Sequence, residues 1–268
     1  MIQDYLVSGD ARLFYTVSGK GNPLILLHGN FNDHRIWDEQ AVALAGYYQV
    51  IRYDLRGYGR SSTPNSAFSH VEDLKALIDA LGLSKVSLIG SSLGGGIAMD
   101  FALAHPDLVH ALILVAPSIN GKSYPFAMTW HGIKNYINVR FRGREAAIES
   151  FIQSRYWQYF FPSLHKNHAR ERVLDNVRNP DNFCRFPPHL STAIKPYAAK
   201  RLREISTPAC IIVSDQDHPY NIKTADTLHE EIKSASKVVM TGCGHLPFVE
   251  EPYEFNEIVL GFLDELEA

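Results

Sequence analysis

Residues 86–98 run Val86-Ser87-Leu88-Ile89-Gly90-Ser91-Ser92-Leu93-Gly94-Gly95-Gly96-Ile97-Ala98. The apolar run 86–89 is short and closed by glycine, which reads as a buried strand. The stretch 94–105 reads as a helix stopped by Pro106. Gly90-Ser91-Ser92-Leu93-Gly94 therefore sits on a tight strand-to-helix turn, with the central Ser92 hydroxyl lifted above the sheet edge. Larger residues at the two glycines would collide with the neighbouring strand and helix. The helix start leaves backbone N–H groups unpaired, so the Leu93 amide can face a developing oxyanion. The bare pattern recurs by chance; its strand–turn–helix setting makes Ser92 the candidate nucleophile. Ser91 competes, but it stands outside the pattern's central position.

Outward from this turn, apolar runs alternate with amphipathic ones. Residues 24–27, 48–55 and 112–115 read as further strands, and 70–81 as a helix with Val71, Leu74, Leu77, Ile78 and Leu81 on one face. Ser69 with Glu72 forms a capping box at its start, and Gly82 marks its stop. After position 207 the alternation resumes with strand 209–213, helix 224–232, strand 237–240 and a final helix over 253–266. Strands apolar on both faces and alternating with helices specify an α/β fold with a mostly parallel sheet covered on both sides. Residues 3–7 and 12–17 alternate instead, as in an antiparallel hairpin at the sheet edge.

Between 117 and 202 the strands stop. This segment is helical in pattern and holds roughly half of the chain's aromatic residues, among them Tyr124, Trp130, Tyr156, Trp157, Phe160 and Phe161. It reads as a helical cap, residues 117–202, inserted into a core made of residues 1–116 and 203–268. Its apolar underside would face the core, a substrate pocket, or both.

The chain of 268 residues carries a formal net charge of -3, which leaves no global field to attract nucleic acid or anionic lipid. Arg140, Arg142 and Arg144 are the one dense basic cluster and read as a solvated helix end. Cys184, Cys210 and Cys243 are odd in number and far apart, which describes no disulfide framework and suits a reducing compartment. The first residues have no basic and apolar signal pattern, and no apolar stretch reaches a bilayer's width. A cytoplasmic protein with neither nucleic-acid nor membrane partners is expected; no oligomeric state is specified.

A serine nucleophile requires a base. Of the 12 histidines, His105 and His110 have surface explanations, and His165 with His168 lacks the companions of a metal site. His245 follows the last strand in the glycine-rich loop Gly242-Cys243-Gly244-His245-Leu246-Pro247 and is the candidate base. An acid should come from an intervening strand end. Ser214-Asp215-Gln216-Asp217 offers two; Asp217 lies further into the turn, where it can reach the imidazole, and Asp215 is placed to brace the loop. His28-Gly29-Asn30-Phe31 follows strand 24–27 and is the candidate source of a second oxyanion amide, from Asn30. His28 is expected to be structural. Phe31 and Trp130 are the candidate substrate contacts.

Taken together, His28-Gly29, Tyr53-Asp54-Leu55-Arg56-Gly57-Tyr58-Gly59-Arg60-Ser61, the Ser92 turn, the Asp217 turn and Gly244-His245 resemble the α/β-hydrolase superfamily. The order matches and the resemblance spans nearly the whole chain. It is closest to small carboxylesterases, enol-lactonases and carbon–carbon bond hydrolases. The resemblance implies an eight-stranded sheet flanked by helices, a cap after the sixth strand, no metal and no organic cofactor. Departures are Ser91 before the nucleophile and Ser214 in place of a frequent glycine. His28-Gly29-Asn30 is similar to a dehalogenase motif, but that chemistry needs a carboxylate nucleophile, since attack by Ser92 on an alkyl carbon would leave an inert ether.

The leading expectation is hydrolysis of a small ester or lactone through an acyl-enzyme on Ser92. Carbon–carbon hydrolysis by the same residues is the second; Leu246 stands where such enzymes often carry tryptophan. A slow-turnover ligand receptor on the same fold is the third.

Overall fold

The computed structural model describes residues 1–267. Its sheet has eight strands: β1 (Ile2–Ser8), β2 (Ala11–Ser18), β3 (Pro23–Leu27), β4 (Gln49–Tyr53), β5 (Val86–Ser91), β6 (Val109–Val115), β7 (Ala209–Ser214) and β8 (Ala235–Met240). The spatial order is β1-β2-β4-β3-β5-β6-β7-β8. β1, β2 and β4 pair antiparallel at one edge, and every other pairing is parallel. The two predicted edge strands, 3–7 and 12–17, form this hairpin.

Period-two alternation places the core. In β3, Leu24 and Leu26 enter the apolar cluster on one face while Ile25 and Leu27 enter the other. β6 divides the same way, Ile113 and Val115 against Leu112 and Leu114. Helices α1 (Asp38–Leu44) and α9 (Pro252–Glu267) cover the first face; α2 (His70–Ala80), α3 (Leu93–Ala104) and α7 (Pro219–Glu231) cover the second. A single turn, α8 (Pro247–Glu250), precedes α9.

Local chemistry explains most boundaries. Ser69 Oγ accepts from the Glu72 amide at 3.4 Å, capping α2 as its sequence predicts. Helix α7 begins five residues before the predicted 224, because Pro219 presets the first helical φ and His218 Nδ1 accepts from the Tyr220 amide at 3.1 Å. The seven-residue α1 is too short to show a helical period in sequence and had no predicted counterpart.

Between β6 and β7 lie α4 (Phe126–Arg142), α5 (Arg144–Ile152) and α6 (Asn167–Arg178), joined by short 3-10 turns. Their apolar residues, Ile148, Phe151, Trp157, Phe160, Val173 and Phe183 among them, belong to the same cluster as Leu24 and Ile113. The segment therefore extends one face of the main core and has no separate one. Its two ends meet: the Ala199 amide donates to the Asn120 carbonyl at 3.0 Å. A second fastening lies at Asp33, whose Oδ2 accepts from Asn182 Nδ2 at 2.9 Å and Asn179 Nδ2 at 3.2 Å. Among the described residues no helix is long and apolar enough to cross a membrane.

Candidate active site

Ser92 has φ 51, a left-handed backbone that costs a β-carbon residue about 1–3 kcal/mol. Surrounding hydrogen bonds over-determine it. The Ser92 amide donates to the Val115 carbonyl at 2.9 Å, and the Ser92 carbonyl accepts from the amides of Gly96 at 3.2 Å and Ser118 at 2.9 Å. A β-carbon on Gly94 would strike the Leu27 carbonyl, and one on Gly90 would strike the Gly94 backbone, so α3 can leave β5 this sharply only with glycine at both places. Ser91, the competing hydroxyl, is fully buried, whereas Ser92 is partly exposed.

His245 Nδ1 lies 2.9 Å from Asp217 Oδ2, and both residues are buried. The other carboxylate oxygen, Oδ1, accepts from the His218 amide at 2.6 Å and from Asn221 Nδ2 at 2.8 Å. A carboxylate facing Nδ1 keeps the imidazole proton on that nitrogen and leaves the Nε2 lone pair free to accept another. Asn221 Nδ2 also lies 3.2 Å from His245 Nδ1, so Asn221 stands beside the pair on the first turn of α7. Asp215 is exposed, and its Oδ1 accepts from the Gly242 amide at 2.8 Å, holding the β7 and β8 loops together. Among the described residues no hydrogen bond joins Ser92 Oγ to the imidazole; such contacts often close only around substrate.

The loop after β3 meets the Ser92 turn directly. Leu27 pairs with Gly90, and a β-carbon on Gly29 would stand 3.1 Å from the Ser92 β-carbon. The His28 ring is structural: Nε2 accepts from the Leu55 amide at 3.0 Å, which puts the proton on Nδ1, donated to the Gly29 carbonyl at 2.8 Å. Burial lowers its pKa. Asn30 is held through its side chain, Oδ1 accepting from the Tyr58 hydroxyl at 2.5 Å. Neither the Asn30 amide nor the Leu93 amide has an acceptor among the described residues, which leaves both free for an incoming oxygen.

Phe31, also left-handed at φ 65, turns its ring into the helical segment. Its centroid lies 4.5 Å from Phe151, 5.1 Å from Phe183, 5.9 Å from Phe160 and 6.3 Å from Trp157. Phe160 in turn lies 5.8 Å from His245, so one aromatic wall connects the loop after β3 to the imidazole. Trp130 does not join this wall: it is 52% exposed on α4. The neighbouring His131 turns inward instead, stacking on Tyr156 at 4.1 Å, and Tyr156 reaches His218 beside Asp217.

Asp33, His34 and Asp54 have oxygen and nitrogen atoms close enough to suggest a cation site. Their atoms are already committed to protein donors: Asp54 Oδ1 accepts from the His34 amide and ring, Oδ2 from the Arg60 amide, and Asp33 from Arg35, Asn179 and Asn182. The cluster is a structural knot. Phe160 was legible only as one of the segment's aromatics, and Asn221 had no signal in sequence, because both reach His245 only in the folded chain.

This geometry, a strained serine above a parallel sheet with a histidine–aspartate pair at the same edge, defines the hydrolase class. Residues 22–252 match the family described as alpha/beta hydrolase fold, and the chain belongs to it. It is 30% identical, over 95% of its own length and 91% of the relative's, to a 2-hydroxy-6-oxononadienedioate/2-hydroxy-6-oxononatrienedioate hydrolase of Dechloromonas aromatica. Among solved structures it is similar to an esterase from Rhodococcus sp., with TM-score 0.83 and 25% identity over 99% of this chain and 100% of that one. It also shares the fold of the enol-lactonase from Burkholderia xenovorans, with TM-score 0.80 and 19% identity over 97% and 100% of the two chains.

Proposed function

We propose that the protein hydrolyses a small carboxylic ester or lactone through an acyl-enzyme, with Ser92 as nucleophile, His245 as base and Asp217 as the acid that orients it. The observation that carries this reading is the 2.9 Å contact between His245 Nδ1 and Asp217 Oδ2, which prepares Nε2 to take a proton. In this mechanism Nε2 takes the Ser92 proton as Oγ adds to the carbonyl carbon. The free amides of Asn30 and Leu93 receive the developing oxyanion, each worth about 10²–10³ in rate. His245 then returns the proton to the leaving alkoxide, and water repeats the sequence to release the acid.

Carbon–carbon hydrolysis is the second reading, favoured by the 30% identical relative from Dechloromonas aromatica. The rings of Phe31 and Phe160 beside the histidine loop argue for the first, since a dienedioate brings carboxylates that aromatic rings do not pair. The direct test is fluorophosphonate labelling with peptide mapping on the wild type and Ser92→Ala, followed by assay on short-chain esters, lactones and dienedioates. A single adduct on Ser92 with ester or lactone turnover is expected. Full activity in Ser92→Ala would sink both readings, and turnover confined to dienedioates would replace the first with the second.

A further inference from the structure

Helix α4 exposes Phe126, Trp130, Ile133, Ile137 and Phe141, at 83, 52, 48, 42 and 80% of their surface. At about 100° per residue the five fall within an arc of roughly 80°, a continuous apolar stripe. The opposite side of the helix is already occupied: Met128 and Asn135 are buried, and Val139 packs on the core. The stripe is thus unpartnered, on a segment that also positions His131 against Tyr156.

Two features say what covers it. The first is area. From their exposures, the five side chains offer roughly 600 Å² per copy, so two copies meeting there would bury about the 1,200 Å² at which stable interfaces begin. A patch of this size on a monomer ordinarily marks an interaction site.

The second is the spacing. Phe126 and Phe141 are equidistant from the point between Ile133 and Lys134, and so are Trp130 and Ile137. An antiparallel second α4 would therefore seat Phe126 on Phe141 of the other copy and Trp130 on Ile137, with Ile133 beside the axis. This self-complementarity is what a two-fold interface requires, because the same patch must serve both partners. A lipid surface would need apolar area but no such symmetry. Lys134 and Arg140 border the stripe on either side, where their heads can stay in solvent at the rim.

We propose that α4 is the seam of a homodimer, paired antiparallel with α4 of a second copy about an axis near Ile133. The inference is independent of the reaction, because it uses no residue of the Ser92, His245 and Asp217 set.

Sedimentation equilibrium on the full chain, from low to high micromolar concentration, tests it. The expected mass is twice 30.1 kDa, falling to the single-chain value in the double variant Trp130→Ser/Ile137→Ser. Because both residues are exposed in the single chain, the variant should keep its far-UV spectrum. Ile133→Cys should cross-link two chains under mild oxidation, whereas Val42→Cys, 81% exposed on α1, should not. A wild type that is monomeric throughout, a dimer that survives the double variant, or equal cross-linking at both cysteines would each overturn the proposal. So would a monomer that co-sediments with phosphatidylglycerol vesicles through the same side chains, which would give the stripe to lipid.

Discussion

The backbone amide of His245 donates to the carbonyl oxygen of Tyr159 at 2.9 Å. The loop carrying the imidazole is therefore fastened from above by the helical segment as well as from below by β8. Gly244 makes this closeness possible: a β-carbon there would stand 2.6 Å from the same Tyr159 oxygen. Gly244→Ala should push the His245 loop away from the segment. A displacement near 1 Å at a reacting group can cost about 10² in rate, so kcat should fall by about that factor with the fold retained. Steady-state kinetics on whichever substrate the labelling screen identifies, together with a thermal melt, would check this; unchanged kcat would show that the contact is incidental.

Asn221 acts on the same pair from the other side. Its Nδ2 donates to Asp217 Oδ1 at 2.8 Å inside a buried pocket. A hydrogen bond to a charged group is worth about 1.5–3 kcal/mol, so Asn221→Ala should lower kcat by about 10- to 100-fold while leaving KM nearly unchanged. Asn221→Gln, which keeps an amide on a longer arm, should recover part of the loss. A change confined to KM would instead assign Asn221 to substrate binding.

Asp33 is 2% exposed. Burial alone would push its carboxyl up, but the donors from Arg35 and then Asn182 outweigh burial and hold it well below the usual carboxylate range. A carboxyl depressed on folding contributes stability that is complete above its unfolded value, near pH 4, and is lost as pH falls through the folded value. Asp33→Asn should cost about 2 kcal/mol at pH 7, discounted because Arg35 is part-exposed. The variant's melting temperature should also fall less steeply than the wild type's below pH 4. Parallel acid limbs in the two proteins would refute the assignment.

Asp100 has the opposite sign. It lies on α3, 3% exposed, and accepts from Asn120 Nδ2 at 2.6 Å. Burial raises its carboxyl to about 6, against the opposing pull of Asn120 and Arg201. A carboxyl raised on folding contributes stability that is complete below the unfolded value and lost as pH climbs through about 6. Asp100→Asn keeps an oxygen for Asn120 and removes the charge. It should therefore gain on the wild type as pH rises from 4 to 7, by up to about 2 kcal/mol. Thermal melts across that range would read the gain directly, and a constant difference would contradict it.

What the chain shows before folding depends on how local the cause is. β3, β5, β6 and β7 were legible because each carries a short, mostly apolar run with a turn signal at its end, and burial on both faces demands that composition. The Ser92 turn was legible from its own residues, a buried apolar strand end, two glycines four apart and a helix start, although Gly94 answers to the Leu27 carbonyl on another strand. The contact between His245 and Asp217 could be anticipated from chain order and loop chemistry. Asn221 could not, because it reaches His245 only after α7 turns back over a loop from another strand. Nor could the Asp33–Asn182 contact, which joins residues 149 apart in sequence. The orientation of α4 was not legible either, because the helix is apolar on two sides and only packing reveals that Met128 and Val139 face inward while Trp130 faces out.

The hydrogen bond from Ala199 to Asn120 has a bearing on how such a chain diversifies. It brings the two ends of the α4–α6 segment side by side at neighbouring strands β6 and β7, which pair from Leu112–Ala209 onward. Everything between those ends leaves and re-enters the sheet through one narrow gate. A segment of another length can be joined there without shifting the register of β6 on β7, provided that it again carries an acceptor for the His245 amide where Tyr159 stands, so selection can rework the segment's outer faces while the Ser92 turn and the sheet below stay as they are.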